Sequence, residues 1–203
     1  HQRNAYEKII GGKNVAISAP TGTGKTLSFT MPIIQSIINN GSYNKVNAVV
    51  VSPIKALTSD QTEQIRRFTK GTKVRVGMLT GDVKGPEREK IIANPPEILC
   101  TNFDTIFYNT IYKTNVAALF ENFKMLVVDE IHYYSGMHGS NIHHVIKELK
   151  SRNTGLQMIG ASATIENLDE FSKKFFDTDN CNRISCPKHS PSRVSALALP
   201  KGY

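Results

Sequence analysis

Residues 19–26 combine glycine, threonine and lysine in a spacing that can bind phosphate. They read Ala-Pro-Thr-Gly-Thr-Gly-Lys-Thr and lie between an apolar run and a helical pattern. Gly22 and Gly24 allow a tight turn whose N–H groups can face phosphate oxygens, and the dipole of the following helix favours the same anion. Lys25 supplies a mobile cation for the β- and γ-phosphates, and the Thr26 hydroxyl can ligate Mg²⁺. Ala19 stands where the usual pattern has its first glycine, so a simple turn before a helix is the alternative.

Two adjacent carboxylates follow a second apolar run. Asp129 and Glu130 come directly after residues 125–128, which read Met-Leu-Val-Val. Carboxylates at the end of a buried strand are costly unless a metal ion or a water molecule uses them. We therefore expect Asp129 to hold Mg²⁺ and Glu130 to orient and deprotonate an attacking water. Taken alone, the pair could also be a strand end that meets solvent.

Short apolar runs alternate with helical patterns along the chain, which predicts an α/β fold. The predicted strands are residues 15–19, 48–52, 74–79, 97–101, 125–129 and 157–161. The predicted helices are residues 25–39, 56–69, 86–93, 103–112, 141–150 and 166–176. Strands that are apolar throughout are typical of a parallel sheet covered by helices on both faces. Because parallel strands end at the same edge, the loop at 19–26 and Asp129 should lie close together.

Composition excludes several classes of protein. The chain has 203 residues, of which 39% are hydrophobic and 21% charged, and this excludes global disorder. No apolar run is long enough to span a membrane. Lys and Arg number 25 against 17 Asp and Glu, so the net charge of +8 favours an anionic partner. The three cysteines do not form the pattern of a secreted disulfide scaffold, which favours an intracellular protein, cytoplasmic or nuclear.

The sequence divides into a main domain at residues 1–180 and a different segment at 181–203. The second part contains Pro187, Pro191 and Pro200 among serines, which is typical of an exit segment or linker. The chain begins at His1 rather than at methionine. We therefore expect it to be part of a longer protein.

The motifs together resemble those of superfamily 2 helicases. Residues 19–26 resemble motif I, and Asp129-Glu130-Ile131-His132 resembles the DExH motif II. Further matches in the same order are His1-Gln2 before motif I, residues 51–57 as motif Ia, Thr80-Gly81-Asp82 and residues 101–104 as the Ib region, and Ser162-Ala163-Thr164 as motif III. Short segments at 133–136, 138–141 and 189–191 are similar to Hrq-type and MrfA-type DNA-repair helicases.

This resemblance implies a RecA-like P-loop NTPase domain, the first of two, that uses ATP and Mg²⁺. It implies nucleotide contacts by Gln2, which would read adenine, and by Thr21, Gly22, Thr23, Gly24, Lys25 and Thr26. Lys25, Asp129 and Glu130 would be catalytic, and Thr26 and Asp129 would hold Mg²⁺. Coupling would pass through His132, Ser162 and Thr164. Nucleic acid would contact Pro53, Lys55, Thr80, Gly81, Thr101 and Asn102.

The function implied is that of the motor domain of an ATP-dependent helicase or translocase. Its partners would be nucleic acid and a second RecA-like domain, which carries the arginine finger and is not in this sequence. DNA is favoured over RNA, but an RNA helicase stays open because the candidate loops suit backbone contacts. Another alternative is a RecA-like module that binds nucleic acid or protein without productive hydrolysis. A small P-loop kinase is disfavoured because adjacent Asp129 and Glu130 suit attack by water.

Overall fold

Seven parallel strands form one sheet in the computed structural model, which describes residues 1–135, 137–163 and 167–186 and only the backbone of 137–141. The strands are β1 (Val15–Ser18), β2 (Ala48–Val51), β3 (Val76–Met78), β4 (Ile98–Thr101), β5 (Met125–Val128), β6 (Gln157–Ser162) and β7 (Asn182–Ser185). Their order across the sheet is β3-β4-β2-β5-β6-β1-β7, and every pairing is parallel. The predicted α/β fold with a parallel sheet is confirmed.

Seven α-helices accompany the sheet over the described residues. They are α1 (Gln2–Ile10), α2 (Lys25–Asn39), α3 (Lys55–Phe68), α4 (Gly85–Ala93), α5 (Phe103–Ile111), α6 (Met137–Arg152) and α7 (Leu168–Phe176). Two short 3₁₀ turns occur at Ala117–Phe120 and Ile131–Tyr134. Within the part of the chain that the structure describes, no helix is long and apolar enough to cross a membrane.

The central strands are apolar throughout because each faces two hydrophobic cores. In β2, Val49 and Val51 join a core with α5, α6 and α7, whereas Ala48 and Val50 join a second core with α1, α2 and α3. Alternate residues of a strand point to opposite faces, so one run supplies both cores. Full burial of a valine or isoleucine side chain contributes about 1.5–3 kcal/mol. The sheet is therefore a rigid base for the loops at its edges.

Two elements lie where the sequence analysis placed none. Strand β7 pairs with β1 along Asn182–Ser185, inside the segment interpreted as a linker. Only Ile184 of this edge strand is buried, so no apolar run marked it. Helix α1 precedes β1 and buries only Ala5 and Ile9, one helical turn apart. Residues 182–185 therefore belong to the sheet and not to a linker. The division of the chain into a main domain that ends at residue 180 and a following segment stays a prediction.

The strand order divides the carboxyl edge of the sheet into two neighbouring regions. Strands β1, β6 and β5 are adjacent, so the loops that follow them lie together. Strands β2, β4 and β3 continue the sheet on the other side of β5. The phosphate-loop motif and the carboxylates therefore share the first region, and the loops predicted to contact nucleic acid share the second.

Candidate active site

The loop between β1 and α2 is a tight turn made possible by glycine. Gly22 and Gly24 have φ angles of 80° and 83°, in the left-handed region that side chains disfavour. The Thr23 hydroxyl donates to the carbonyl of Pro20 at 2.6 Å and closes the turn. Gly24 is the N-cap of α2, so the first N–H groups of this helix have no partner within the helix. The loop thus presents donors and a positive helix end to an anion.

Gln2 of α1 packs against this loop. Its amide Nε2 lies 3.5 Å from the carbonyl oxygens of both Thr23 and Gly24. A Cβ atom at Gly24 would lie 2.2 Å from that nitrogen and would displace the end of the Gln2 side chain, whereas the φ of 83° is what favours glycine here. Thr21 and Gly22 are exposed at the tip of the loop. Recognition of adenine by Gln2 stays a prediction.

The Lys25 ammonium lies between the two carboxylates. It donates a hydrogen bond to Glu130 Oε1, and its Nζ is 3.3 Å from Asp129 Oδ1. Lys25 is only 9% exposed. The motif predicts a mobile cation at Lys25, whereas the structure holds its ammonium in a buried ion pair with Asp129 and Glu130. The contact brings the end of β1 and the end of β5 together.

The electrostatics of the carboxylates follow from this burial. Burial raises the pKa of Asp129, the Lys25 charge lowers it, and the Glu130 charge raises it again; the net pKa is above its usual value. Asp129 Oδ1 also accepts a hydrogen bond from the Glu130 N–H at 2.9 Å. Glu130 itself has a φ of 47°, which is strained for a residue with a side chain. Strained backbone of this kind is typical of functional sites.

His132 connects the carboxylates to the end of β6. Its Nδ1 is 2.8 Å from Ser162 Oγ and 3.3 Å from Glu130 Oε2. Ser162 is fully buried at the last position of β6, the strand between β5 and β1. The structure thus brings His132 and Ser162, two of the predicted coupling residues, together with Glu130. Thr164, the third predicted coupling residue, lies outside the described residues.

The six residues predicted to contact nucleic acid all lie at or just after the carboxyl ends of β2, β3 and β4, but they differ in exposure. Lys55 and Gly81 are exposed and Pro53 is half-buried. Thr80, Thr101 and Asn102 are at most 5% exposed. Asn102 Oδ1 accepts from the Thr105 N–H at 2.9 Å and caps α5, so this side chain has a structural partner. The role of all six in nucleic-acid contact stays a prediction.

Two residues without an assigned role in the sequence analysis belong to these regions. Asp82 accepts a hydrogen bond from Lys55 Nζ at 2.6 Å, with both side chains more than half exposed. Gln61 of α3 lies against Thr26 at the start of α2. No local pattern predicts either contact, because each joins loops or helices that meet only in the folded sheet.

The oxygen ligands at the site fit Mg²⁺. Thr26 offers a hydroxyl and Asp129 a buried carboxylate, and both are hard oxygen donors. Among the described residues, no group of three or more His, Cys, Asp or Glu side chains is arranged to hold a metal ion. Mg²⁺ commonly uses one or two protein oxygens together with phosphate oxygens and water, so this small set suits it.

Comparisons with known proteins agree with this geometry. The sequence matches the family model of DEAD/DEAH box helicases over residues 1–171. It is 33% identical to an uncharacterized ATP-dependent helicase of Methanocaldococcus jannaschii over 98% of this chain and 30% of that protein. It is 31% identical to ATP-dependent helicase hrq1 of Schizosaccharomyces pombe over 91% of this chain and 18% of that protein.

A solved structure has the same fold. The helicase MrfA bound to DNA superposes with a TM-score of 0.82 at 28% identity, over 92% of this chain and 25% of that chain. These matches confirm the resemblance to helicases of the Hrq and MrfA types. The chain spans less than a third of the length of each of these relatives.

The raised pKa of Asp129 predicts how this residue affects the folding stability of the protein when neither nucleotide nor Mg²⁺ is bound. A carboxyl whose pKa is raised by folding opposes folding once it is ionised, so stability is lost as pH rises through the folded pKa. Asp129→Asn keeps the oxygen that accepts from the Glu130 N–H and removes the charge. At neutral pH in EDTA we expect this variant to have a higher free energy of unfolding, measured by denaturant titration. Asp60→Asn, at an exposed position, is the control and should have no effect; a less stable Asp129→Asn would contradict the electrostatic account.

Proposed function

Because the chain belongs to the DEAD/DEAH box helicase family, we propose that it is the ATP-binding motor domain of an ATP-dependent helicase or translocase that acts on DNA. The observation that carries this proposal is the contact of Lys25 with Asp129 and Glu130. It joins a phosphate-binding loop to a pair of carboxylates at one edge of a parallel sheet. That arrangement provides a phosphate cradle, oxygen ligands for a cation and a base for water.

Nucleotide binding exchanges the partners of Lys25. The N–H groups at the start of α2 and the Lys25 ammonium hold the β- and γ-phosphates, so Lys25 gives up its contact with Glu130. Thr26 and Asp129 would hold Mg²⁺, which would neutralise charge on the phosphates. Glu130, freed from Lys25, orients the attacking water and accepts its proton.

Coupling to the rest of the motor passes through His132 and Ser162. Glu130 Oε2 lies 3.3 Å from His132 Nδ1, and that nitrogen is 2.8 Å from Ser162 Oγ. A change in the position or charge of Glu130 during hydrolysis therefore alters the partner of His132. Ser162 ends β6 and leads to Thr164, which we include in the coupling segment.

DNA is the proposed partner because a related helicase binds it. The related helicase MrfA is bound to DNA in its solved structure, and hrq1 is named an ATP-dependent helicase. The exposed Lys55 and Gly81 suit contacts with phosphates, which DNA and RNA share. Comparison of DNA and RNA strands of equal length and charge distinguishes the two partners.

The complete motor requires more than this chain. The relatives are more than three times its length, which supports a longer protein with a second RecA-like domain. We propose that the second domain closes over the nucleotide and supplies an arginine to the phosphates, a contribution worth about 10³–10⁵ in rate in related enzymes. We place the protein inside the cell, in the cytoplasm or the nucleus.

The roles of Asp129 and Glu130 separate in kinetics. Glu130→Gln removes the base but keeps the size and one oxygen, so hydrolysis in the full-length protein should fall by about 10²–10⁴-fold. ATP affinity should be unchanged or higher, because Lys25 loses a competing carboxylate. Asp129→Asn should instead weaken Mg²⁺-dependent nucleotide binding. Single-turnover hydrolysis and calorimetry measure both; a parental rate for Glu130→Gln would reject Glu130 as the base and favour a binding module.

Asp82 competes with nucleic acid for Lys55. Because the Lys55–Asp82 pair is exposed, its energy is small, and Asp82→Asn should raise affinity for single-stranded DNA by up to about fivefold. Lys55→Ala should lower affinity and reduce the salt slope by about 0.7, the value for one phosphate contact on a single strand. Fluorescence anisotropy at several salt concentrations measures these changes.

The matched control for Asp82→Asn is Glu121→Gln. Glu121, whose side chain is 44% exposed, pairs with the half-buried Arg152 at 3.1 Å, just before β5 at the opposite edge of the sheet. The Glu121→Gln variant changes the net charge by the same amount as Asp82→Asn. Equal effects of the two variants would mean that total charge, and not the Lys55 region, governs binding.

A further inference from the structure

Gln61 reaches the nucleotide site from a helix that the catalytic motifs do not include. Helix α3 begins at Lys55 and carries Gln61 on the face that packs towards α2. Gln61 is only 5% exposed. Its Oε1 lies 3.5 Å from the hydroxyl oxygen of Thr26, in the first turn of α2.

The direction of this contact determines what the Thr26 hydroxyl can do. An amide oxygen only accepts hydrogen bonds, so Thr26 must donate its single proton to Gln61. The lone pairs of the hydroxyl then remain available for a cation. The separation of 3.5 Å is long for a hydrogen bond. A hydroxyl bound to Mg²⁺ is a stronger donor, so the contact should tighten when the ion binds.

The other half of the Gln61 amide argues against a purely structural role for this side chain. Its Nε2 is buried and has no hydrogen-bond partner among the described residues. An unsatisfied buried donor is unfavourable, and methionine would fill the same space without it. The amide is therefore kept at this position although only its oxygen has a partner, which is the Thr26 hydroxyl.

We propose that Gln61 is a positioning residue for the Mg²⁺ site, and that α3 connects this site to Lys55. The inference rests on the proposed ATP-binding function. Gln61 accepts the proton of the Thr26 hydroxyl and so leaves the lone pairs of that hydroxyl directed towards the ion. Lys55 lies six residues earlier on the same helix, about 9 Å along its axis. Tightening at Gln61 therefore moves the helix whose first residue faces the proposed nucleic-acid path.

Gln61→Met in the full-length protein tests the positioning role. Methionine has a similar length but cannot accept the Thr26 proton. Affinity for a non-hydrolysable ATP analogue should be parental in EDTA, whereas the gain in affinity on adding Mg²⁺ should fall by about 2- to 12-fold, the range of one hydrogen bond. Calorimetry measures both values. Gln61→Glu, which keeps an acceptor, should retain the Mg²⁺-dependent gain.

Stability distinguishes a positioning role from a structural one. Because Gln61→Met removes an orphaned donor, it should unfold in EDTA at the parental temperature or above. Thr62→Val is the matched control on the same helix, since its buried hydroxyl bonds to the Thr58 carbonyl at 2.6 Å, within α3. It should leave the Mg²⁺ dependence unchanged. Equal loss of nucleotide affinity with and without Mg²⁺ in Gln61→Met, or an unchanged gain, would overturn the proposal.

The link to Lys55 has its own readout. With parental protein, Mg²⁺ and the ATP analogue should change the affinity for single-stranded oligodeoxythymidine, and Gln61→Met should reduce that change several-fold. An undiminished change in the variant would overturn the link. If parental protein itself shows no Mg²⁺-dependent binding of the analogue, the proposed function fails first; if it does and Gln61→Met matches it, only the role of Gln61 fails.

Discussion

The buried ammonium of Lys25 between two carboxylates is the interaction on which this site depends. Two neighbouring carboxylates at a sheet edge repel each other, and burial already raises the pKa of Asp129. Lys25 compensates that charge, with its Nζ 3.3 Å from Asp129 Oδ1 and hydrogen-bonded to Glu130. The same arrangement can exchange partners, because phosphates can take the lysine while Mg²⁺ takes the aspartate. The stability of the folded site and its affinity for nucleotide are thus two consequences of one electrostatic constraint.

The parallel sheet makes this constraint possible and extends it to a second region. Strand β6 lies between β1 and β5, so the phosphate loop, Asp129 and Ser162 end at one edge. Strand β2 lies beside β5 and leads directly into α3, which begins at Lys55 and contacts Thr26 through Gln61. Helix α3 therefore connects the proposed nucleotide site with the proposed nucleic-acid region.

Sequence patterns predict most of the fold but only part of the site. The apolar runs of β2 and β5 and the bounds of α2 follow from local composition, because burial on both faces needs consecutive apolar residues. Strand β7 was missed since only Ile184 is buried in it. The buried position of Lys25 and the contacts of Gln61 and Asp82 depend on how distant segments pack, so no local spacing predicts them. Thr101 is predicted to contact nucleic acid, but it is buried because it lies in β4, between β3 and β2 in the sheet.

The most direct test of the central claim is a crystal structure of the chain with Mg²⁺ and a non-hydrolysable ATP analogue. The account predicts that Lys25 Nζ leaves Glu130 and bonds to β- or γ-phosphate oxygens. Thr26 and Asp129 should then face the ion, and Glu130 should face the γ-phosphate. A nucleotide bound elsewhere, with the contact between Lys25 and Glu130 intact, would contradict the account.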